Sequence, residues 1–307
     1  MKSDQDITKF LVSLHNESDK TVRLITADNS NAYTNFGTNT YIIGNQNLAV
    51  IDPGPNLSSH YENIKSAIGK SNLSHIFLTH SHQDHCSLAV NLAVEYEAII
   101  YMSYSCKLSK RELIKRVQGN SSGPKANEKL INRLQIQNVK DYQEIFNDEW
   151  CLEVIMTPGH MFDHICFALE GTDIIFSGDH VMGWSSTMII PPMGNMGQFI
   201  VSLEKLLNRR ENIYLPGHGS LITEAKKYVQ SQLTHKKNRE HEIISWLKTK
   251  PFAPNDLVKL IYPNLNPELT EAANQNVFAH LINLVEKNLV SCETKISIKS
   301  KFVLLTS

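Results

Sequence analysis

Seven residues, Thr79-His80-Ser81-His82-Gln83-Asp84-His85, constrain this chain more than any other stretch, because they place three imidazoles and a carboxylate within six positions. Neutral imidazole and carboxylate are ligands for a divalent ion such as zinc, and a catalytic zinc keeps one coordination position for water. The flanks say where the box sits. Leu73 to Thr79 is a short apolar run of strand type, and Cys86 to Ala93 repeats its apolar residues at helical spacing. The box therefore lies on a loop that leaves a strand and opens a helix. On such a loop His80 and His82 can face one ion while Asp84 and His85 turn toward a second.

Three later fragments each put a candidate ligand on a turn after an expected strand: His160 in Thr157-Pro158-Gly159-His160, Asp179 in Phe176-Ser177-Gly178-Asp179, and His218 in Leu215-Pro216-Gly217-His218. The glycine beside each lets the backbone turn tightly at an ion. A lone histidine is usually an ordinary surface or core residue; seven candidates in this order and setting make a metal site. The series resembles the metallo-β-lactamase superfamily, with its H-x-H-x-D-H box and downstream His, Asp and His. That resemblance implies an α+β fold, a four-layer αββα sandwich. It says little of the substrate, since members act on lactams, thioesters, lactones and phosphodiesters, and function has to be argued from the site.

By the resemblance, His80, His82 and His160 hold a first metal, Asp84, His85 and His218 a second, and Asp179 bridges them. The implied cofactor is two divalent metal ions, zinc first, with iron and manganese left open. A hydroxide bridging them is the implied nucleophile, made accessible by lowering a water pKa from about 15.7 to about 7. Asp84 is the expected catalytic residue, orienting that hydroxide or passing on its proton. Asp52, ending the run Asn47 to Asp52 before Pro53, is by the same resemblance a brace for the metal loop; its plainer role is to cap the turn. Asp163 and His164 either protonate a leaving group or orient His160. The turn-rich stretch around Ser186 and Thr187 is expected to line the cleft and meet substrate. His180 follows the bridging Asp at a position where members vary.

Along the chain, Thr21 to Thr26 reads as a strand, Thr40 to Gly44 with Asn47 to Asp52 as a hairpin, Tyr61 to Ile68 as a helix and Ala98 to Tyr101 as a strand. Leu108 to Leu134 reads as polar helix broken at Gly119 to Pro124, an excursion whose Lys107, Lys110, Arg111, Lys115, Arg116 and Lys125 suit a solvated face better than an anionic substrate. Strands are expected at Leu152 to Met156, His164 to Leu169, Asp173 to Phe176 and Asn212 to Leu215, with a helix from Gly197 to Leu207. Residues 1–225 form the expected hydrolase domain. Residues 226–307 change character, with helices from about Thr223 to Lys248, Asn255 to Tyr262 and Pro267 to Asn288, then strands at Leu289 to Cys292 and Phe302 to Leu305. Helices followed by a hairpin is the order of a winged helix. With that tail, the chain resembles the β-lactamase-like branch that includes a single-strand-specific endoribonuclease, from about Thr21 to Val290.

The five cysteines are scattered without C-x-x-C spacing, which argues against a disulfide framework or a cysteine metal site. No stretch approaches the roughly 18 apolar residues of a membrane span, and Met1 to Asp6 lacks a signal's apolar core, so no membrane partner and a cytoplasmic location are expected. The formal charge of −1 hides an asymmetry: residues 226–307 carry twelve Lys/Arg against seven Asp/Glu, net +5, leaving −6 for the rest. The tail is then a contact for single-stranded RNA through Lys295, Lys299 and Lys301, joined by Lys236, Lys237 and Arg239. Two alternatives stand beside that reading. In one, the substrate is a small acyl compound, a thioester or lactone of glyoxalase-II-like type, and the tail closes the cleft or joins a homodimer. In the other, the chain is a nucleic-acid or protein binding module on a metal-binding scaffold, disfavoured by its complete ligand set.

Overall fold

The computed structural model describes residues 21–104, 110–118, 133–292 and 295–305. The expected break at Gly119 to Pro124, with Lys107 and Lys125, lies outside them. The chain divides into two compact units. The first comprises residues up to Thr157, Asp163–Ser185 and Arg210–Ala225; the second comprises Pro158–Phe162, Ser186–Arg209 and Lys226–Ser307. The division between Ala225 and Lys226 coincides with the change in sequence character. In addition, two short segments from within residues 1–225 group with the C-terminal helices.

In the first unit, β1 (Val22–Thr26), β2 (Asn39–Ile43), β3 (Asn47–Ile51), β4 (Asn72–Phe77), β5 (Ile99–Met102) and β6 (Gln135–Asn138) form one sheet in sequential order. Its first three strands are antiparallel and its last four run parallel. A second sheet has the order β11 (Ile213–Pro216), β10 (Ile174–Gly178), β9 (Ile165–Leu169), β8 (Cys151–Met156), β7 (Glu144–Phe146), with only the β10–β11 pair parallel.

Strand alternation assigns the layers. Ala49 and Ile51 of β3, Phe77 of β4 and Tyr101 of β5 face a core shared with Leu152, Val154, Phe167 and Phe176 of the second sheet. Phe77 and Phe167 meet edge to face there with centroids 5.1 Å apart. The alternate residues Leu48, Val50, Ile76 and Ile100 bury against Ile64 and Ile68 of α1 (Ser58–Ile68) and Val90 and Leu92 of α3 (Ala89–Tyr96). A helical layer thus covers the outer face of the six-stranded sheet, completed by Ile114 and Val117 of α4 (Lys110–Gln118).

The helix expected over Cys86–Ala93 is two pieces, α2 (Gln83–Cys86) and α3, interrupted at Ser87 and Leu88. The Ser87 hydroxyl donates to the Gln83 carbonyl at 2.5 Å, a back-bond to the preceding turn that bends helices. Strands β6 and β7 carry no sequence signal, because β6 is polar and mostly exposed and β7 is a three-residue edge.

The second unit holds α5 (Met196–Leu207), whose N-terminus is capped by the Asn195 side chain accepting from Gln198 N, then α6 (Ala225–Leu247), α7 (Pro254–Ile261) and α8 (Thr270–Glu286), preceded by a 3₁₀ turn at Pro267–Leu269. The hairpin of β12 (Val290–Cys292) and β13 (Phe302–Leu304) follows. Ile243, Leu257, Val277, Leu281, Leu284, Val290 and Phe302 make one core from α6, α7, α8 and the hairpin.

Candidate metal centre

The first unit delivers its candidate ligands from the carboxyl ends of parallel strands, where open α/β sheets leave room for a site. Asp52 follows β3, the His80–His85 box follows β4, Asp179 follows β10 and His218 follows β11. Backbone bonds tie these turns together: Asp52 N to Phe77 O at 2.9 Å, Gly217 N to Gly178 O at 2.9 Å and Ile165 N to Thr79 O at 2.7 Å.

The anchoring partners fix how the imidazoles point. His85 Nδ1 donates to Asp52 Oδ2 at 2.9 Å, and His218 Nδ1 donates to the Gly37 carbonyl at 3.1 Å. Thr79 Oγ1 gives its own proton to Asp52 Oδ2 at 2.6 Å and accepts from His80 Nδ1 at 3.0 Å. A carbonyl or carboxylate only accepts, so Nδ1 carries the proton in each ring and Nε2 presents its lone pair. His85 Nε2 and His218 Nε2 nonetheless face each other at 3.2 Å, with Asp84 Oδ2 3.2 Å from His218 Nε2 and Asp179 Oδ1 3.4 Å from His85 Nε2. Nitrogens and carboxylates converging at such distances need either protons shared between them or a metal ion at their centre. The ligand atoms of Asp84, His85 and His218 lie within 4.8 Å of one another, as do those of His80, His82 and Asp179. Donor chemistry and orientation therefore fit two divalent ions.

Charge points the same way. Burial alone depresses an imidazole, yet Asp179, with Asp84, outweighs it and lifts His218 to about 9; the same carboxylates hold His85 well above the ordinary range. Burial opposes Asp84 as an anion, but His85 and His218 keep it at about 2, and Asp179 is driven well below the usual carboxylate range by His218 and His85 despite its burial. The pocket is an anionic cage for positive charge. Metals compete there with protons.

Two glycines are demanded by close approach. A Cβ on Gly217 would lie 2.5 Å from His85 Cε1 and 2.6 Å from Asp179 Oδ1, and one on Gly178, at φ 49°, would meet His164 Nε2 at 2.7 Å.

The remaining candidates have their own partners. His164 is buried, its Nε2 accepting from Asp179 N at 3.2 Å and its Nδ1 facing Thr157 Oγ1 at 2.9 Å, contacts that brace the Asp179 turn. Asp163 is also buried, 3.6 Å from Arg116 on α4, whose Nε donates to Ser81 Oγ at 2.7 Å inside the box. Burial raises the Asp163 pKa against the pull of Ser81 and Arg116. The pair clamps the metal loop, and Arg116, expected on a solvated face, gave no sequence signal of this because the contact is made across the fold. Thr79 was missed too, although it directly precedes the box.

In the second unit, His160 Nδ1 donates to the Met188 carbonyl at 2.9 Å, the same anchoring as His85 and His218. Ser186 is half-buried, while Thr187 is buried with its carbonyl accepting from Lys236 Nζ at 2.9 Å. Lys236 is itself buried, which takes it out of reach of a phosphate, Lys237 pairs with Glu204 at 2.8 Å, and Arg239 pairs with Glu242 and stacks over Tyr262. Lys295, Lys299 and Lys301 are exposed on the hairpin connection. Among the described residues, no helix is long and apolar enough to cross a membrane.

Residues 33–218 match the Metallo-beta-lactamase superfamily, a span covering more than half of the chain and ending on His218. The chain belongs to that superfamily. Residues 253–297 match the Beta-lactamase associated winged helix domain, a span that takes in α7, α8 and β12. Among superfamily relatives, a Beta-lactamase-like protein 2 homolog of Drosophila melanogaster is 27% identical, covering 83% of this chain and 85% of its own. An Atrochrysone carboxyl ACP thioesterase of Claviceps purpurea is 25% identical over 88% of this chain and 81% of its own. The fold recurs in a beta-lactamase domain protein from Burkholderia ambifaria, with a TM-score of 0.74 at 15% identity, covering 92% of this chain and 91% of the other.

Proposed function

We propose that this superfamily hydrolase works with two divalent metals, zinc first, and cleaves single-stranded RNA. The observation that carries the metal-dependent reading is the convergence of His85 Nε2, His218 Nε2, Asp84 Oδ2 and Asp179 within hydrogen-bonding distances while the opposite nitrogens of both rings are anchored. Asp84, His85 and His218 would hold one ion. His80 and His82 would hold the other, joined through the sequence pattern by His160, and Asp179 would serve both. Such ions supply an activated water at neutral pH and an electrophile for the scissile bond.

The chain's own residues do the rest. Asp52, Thr79 and the Gly37 carbonyl keep the imidazoles aimed, at the cost of no reorganisation when substrate arrives. Asp84, with a side chain 31% exposed against 8% for Asp179 and 2% for Asp52, is the carboxylate open to the attacking water and would receive its proton.

RNA is favoured by three exposed lysines on the winged-helix hairpin and the net +5 of residues 226–307. A second reading, hydrolysis of a thioester, is favoured by the Claviceps relative, whose name is that of a thioesterase. One metal-loaded preparation, with metal content measured, should be assayed against single-stranded RNA and a thioester panel. RNA cleavage at two metals per chain supports the first reading. Thioester turnover with no RNA cleavage replaces it by the second, and activity unaffected by full metal removal overturns both.

A further inference from the structure

Lys236 is fully buried on α6 in the second unit, a costly place for an ammonium group. Burial, with Arg239 adding to it, pulls its pKa down to about 7, and among the described residues no carboxylate pairs with it. Its Nζ instead donates to the Thr187 carbonyl at 2.9 Å and lies 5.4 Å from the Phe199 ring centroid. Thr187 is one residue from Met188, whose carbonyl accepts from His160 Nδ1.

The segment after Thr187 wraps the His160 turn closely. Asn195 N donates to the Gly159 carbonyl at 2.8 Å, and a Cβ on Gly194 would lie 2.8 Å from the His160 carbonyl. A Cβ on Gly159 would come within 2.3 Å of Phe199 Cα, so the turn is pressed against α5. The carbonyl that orients His160 thus belongs to a segment whose start is pinned by one buried ammonium.

We infer that Lys236 is a positioning residue for His160: by holding Thr187 it sets the Met188 carbonyl that aims the imidazole at its metal. This rests on the reading of His160 as a ligand. It makes a specific demand, since loss of Lys236 should weaken one metal and spare the other.

The test is chelator competition on the metal-stripped, refilled full chain, using zinc alone as the probe, with His160→Ala as reference. Lys236→Met keeps the apolar stem and removes the donor; Lys236→Gln keeps a donor. Lys236→Met is expected to bind one of two zinc ions about 10–100-fold more weakly, the range for losing an orienting partner, and Lys236→Gln to recover part of that loss. Combined with His160→Ala, Lys236→Met should add nothing to the loss at that site, the signature of residues acting through one another. Unchanged affinity at both sites in folded Lys236→Met, additive losses in the double variant, or failure of both Lys236 variants to fold overturns the inference, the last by making the lysine a stability element of the second unit. If His160→Ala itself keeps both ions at full affinity, the ligand assignment fails and the inference with it; if only the Lys236 variants are silent, the ligand assignment stands.

Discussion

Asp52 sits at φ 49°, in the left-handed region that aspartate and asparagine tolerate better than most side chains. From there it accepts from Thr79 N at 2.8 Å, from Thr79 Oγ1 and from His85 Nδ1, so one carboxylate orders both ends of the metal box. Asp52→Asn keeps the backbone preference but loses the charge and turns one acceptor into a donor facing donors. Zinc affinity should fall by about 10–100-fold with the fold kept; chelator competition beside circular dichroism measures this, and wild-type affinity would remove Asp52 from the site. Gly217→Ala asks a different question, because its Cβ would enter the space of two ligands. The variant should purify folded with less than its full metal content, and full loading would mean that His85 and Asp179 can yield without cost.

Helices α6 and α8 are joined by a polar knot. Glu240 on α6 accepts from Asn283 Nδ2 at 2.5 Å and from Lys287 Nζ at 2.8 Å, with His280 Nδ1 3.8 Å away. Burial works against the carboxylate, but the nearby His280 ring and hydrogen bonds from Lys287 and Asn283 hold it at about 2, against an ordinary 4.5. A depressed carboxylate stabilises the fold above its unfolded pKa and loses that contribution as pH falls through the folded value. Glu240→Gln should therefore melt about 2–4 °C lower at pH 7, a loss near 1 kcal/mol, with the gap to wild type closing between pH 4.5 and 2. A gap constant with pH would assign the loss to packing. None of this knot was legible in the sequence, where Glu240 and His280 are forty positions apart on faces that look polar. What could be read was whatever short-range physics decides. The strand–box–helix order, the ligand turns with their glycines and the closing hairpin all announce themselves locally. The polar edge strands β6 and β7, the Arg116 clamp and the burial of Lys236 depend on partners that only the fold supplies.

Across the whole chain, opposite charges are unevenly divided: −6 in residues 1–225 and +5 in residues 226–307. Part of the positive excess is spent internally, on Lys236 inside the second unit and on the pairs Lys237–Glu204 and Lys287–Glu240. Exposed lysines remain along the helices, at Lys226, Lys227, Lys248, Lys250 and Lys259, and on the hairpin connection, where Lys295, Lys299 and Lys301 fall within seven positions. If these last three meet phosphates, each contact releases condensed counterions, and the logarithm of affinity falls with the logarithm of salt by about 0.7 per contact on a single strand. Changing all three to Gln should weaken RNA binding most at low salt and flatten that slope by about 2. Hydrolysis of a small neutral thioester by the same protein should keep its rate, because the metal ligands are untouched. Fluorescence anisotropy with a labelled single strand from low to high salt gives the slope directly. An unchanged slope would take the hairpin out of RNA recognition, and a parallel loss of thioester turnover would show that the substitutions had damaged the fold rather than a phosphate contact.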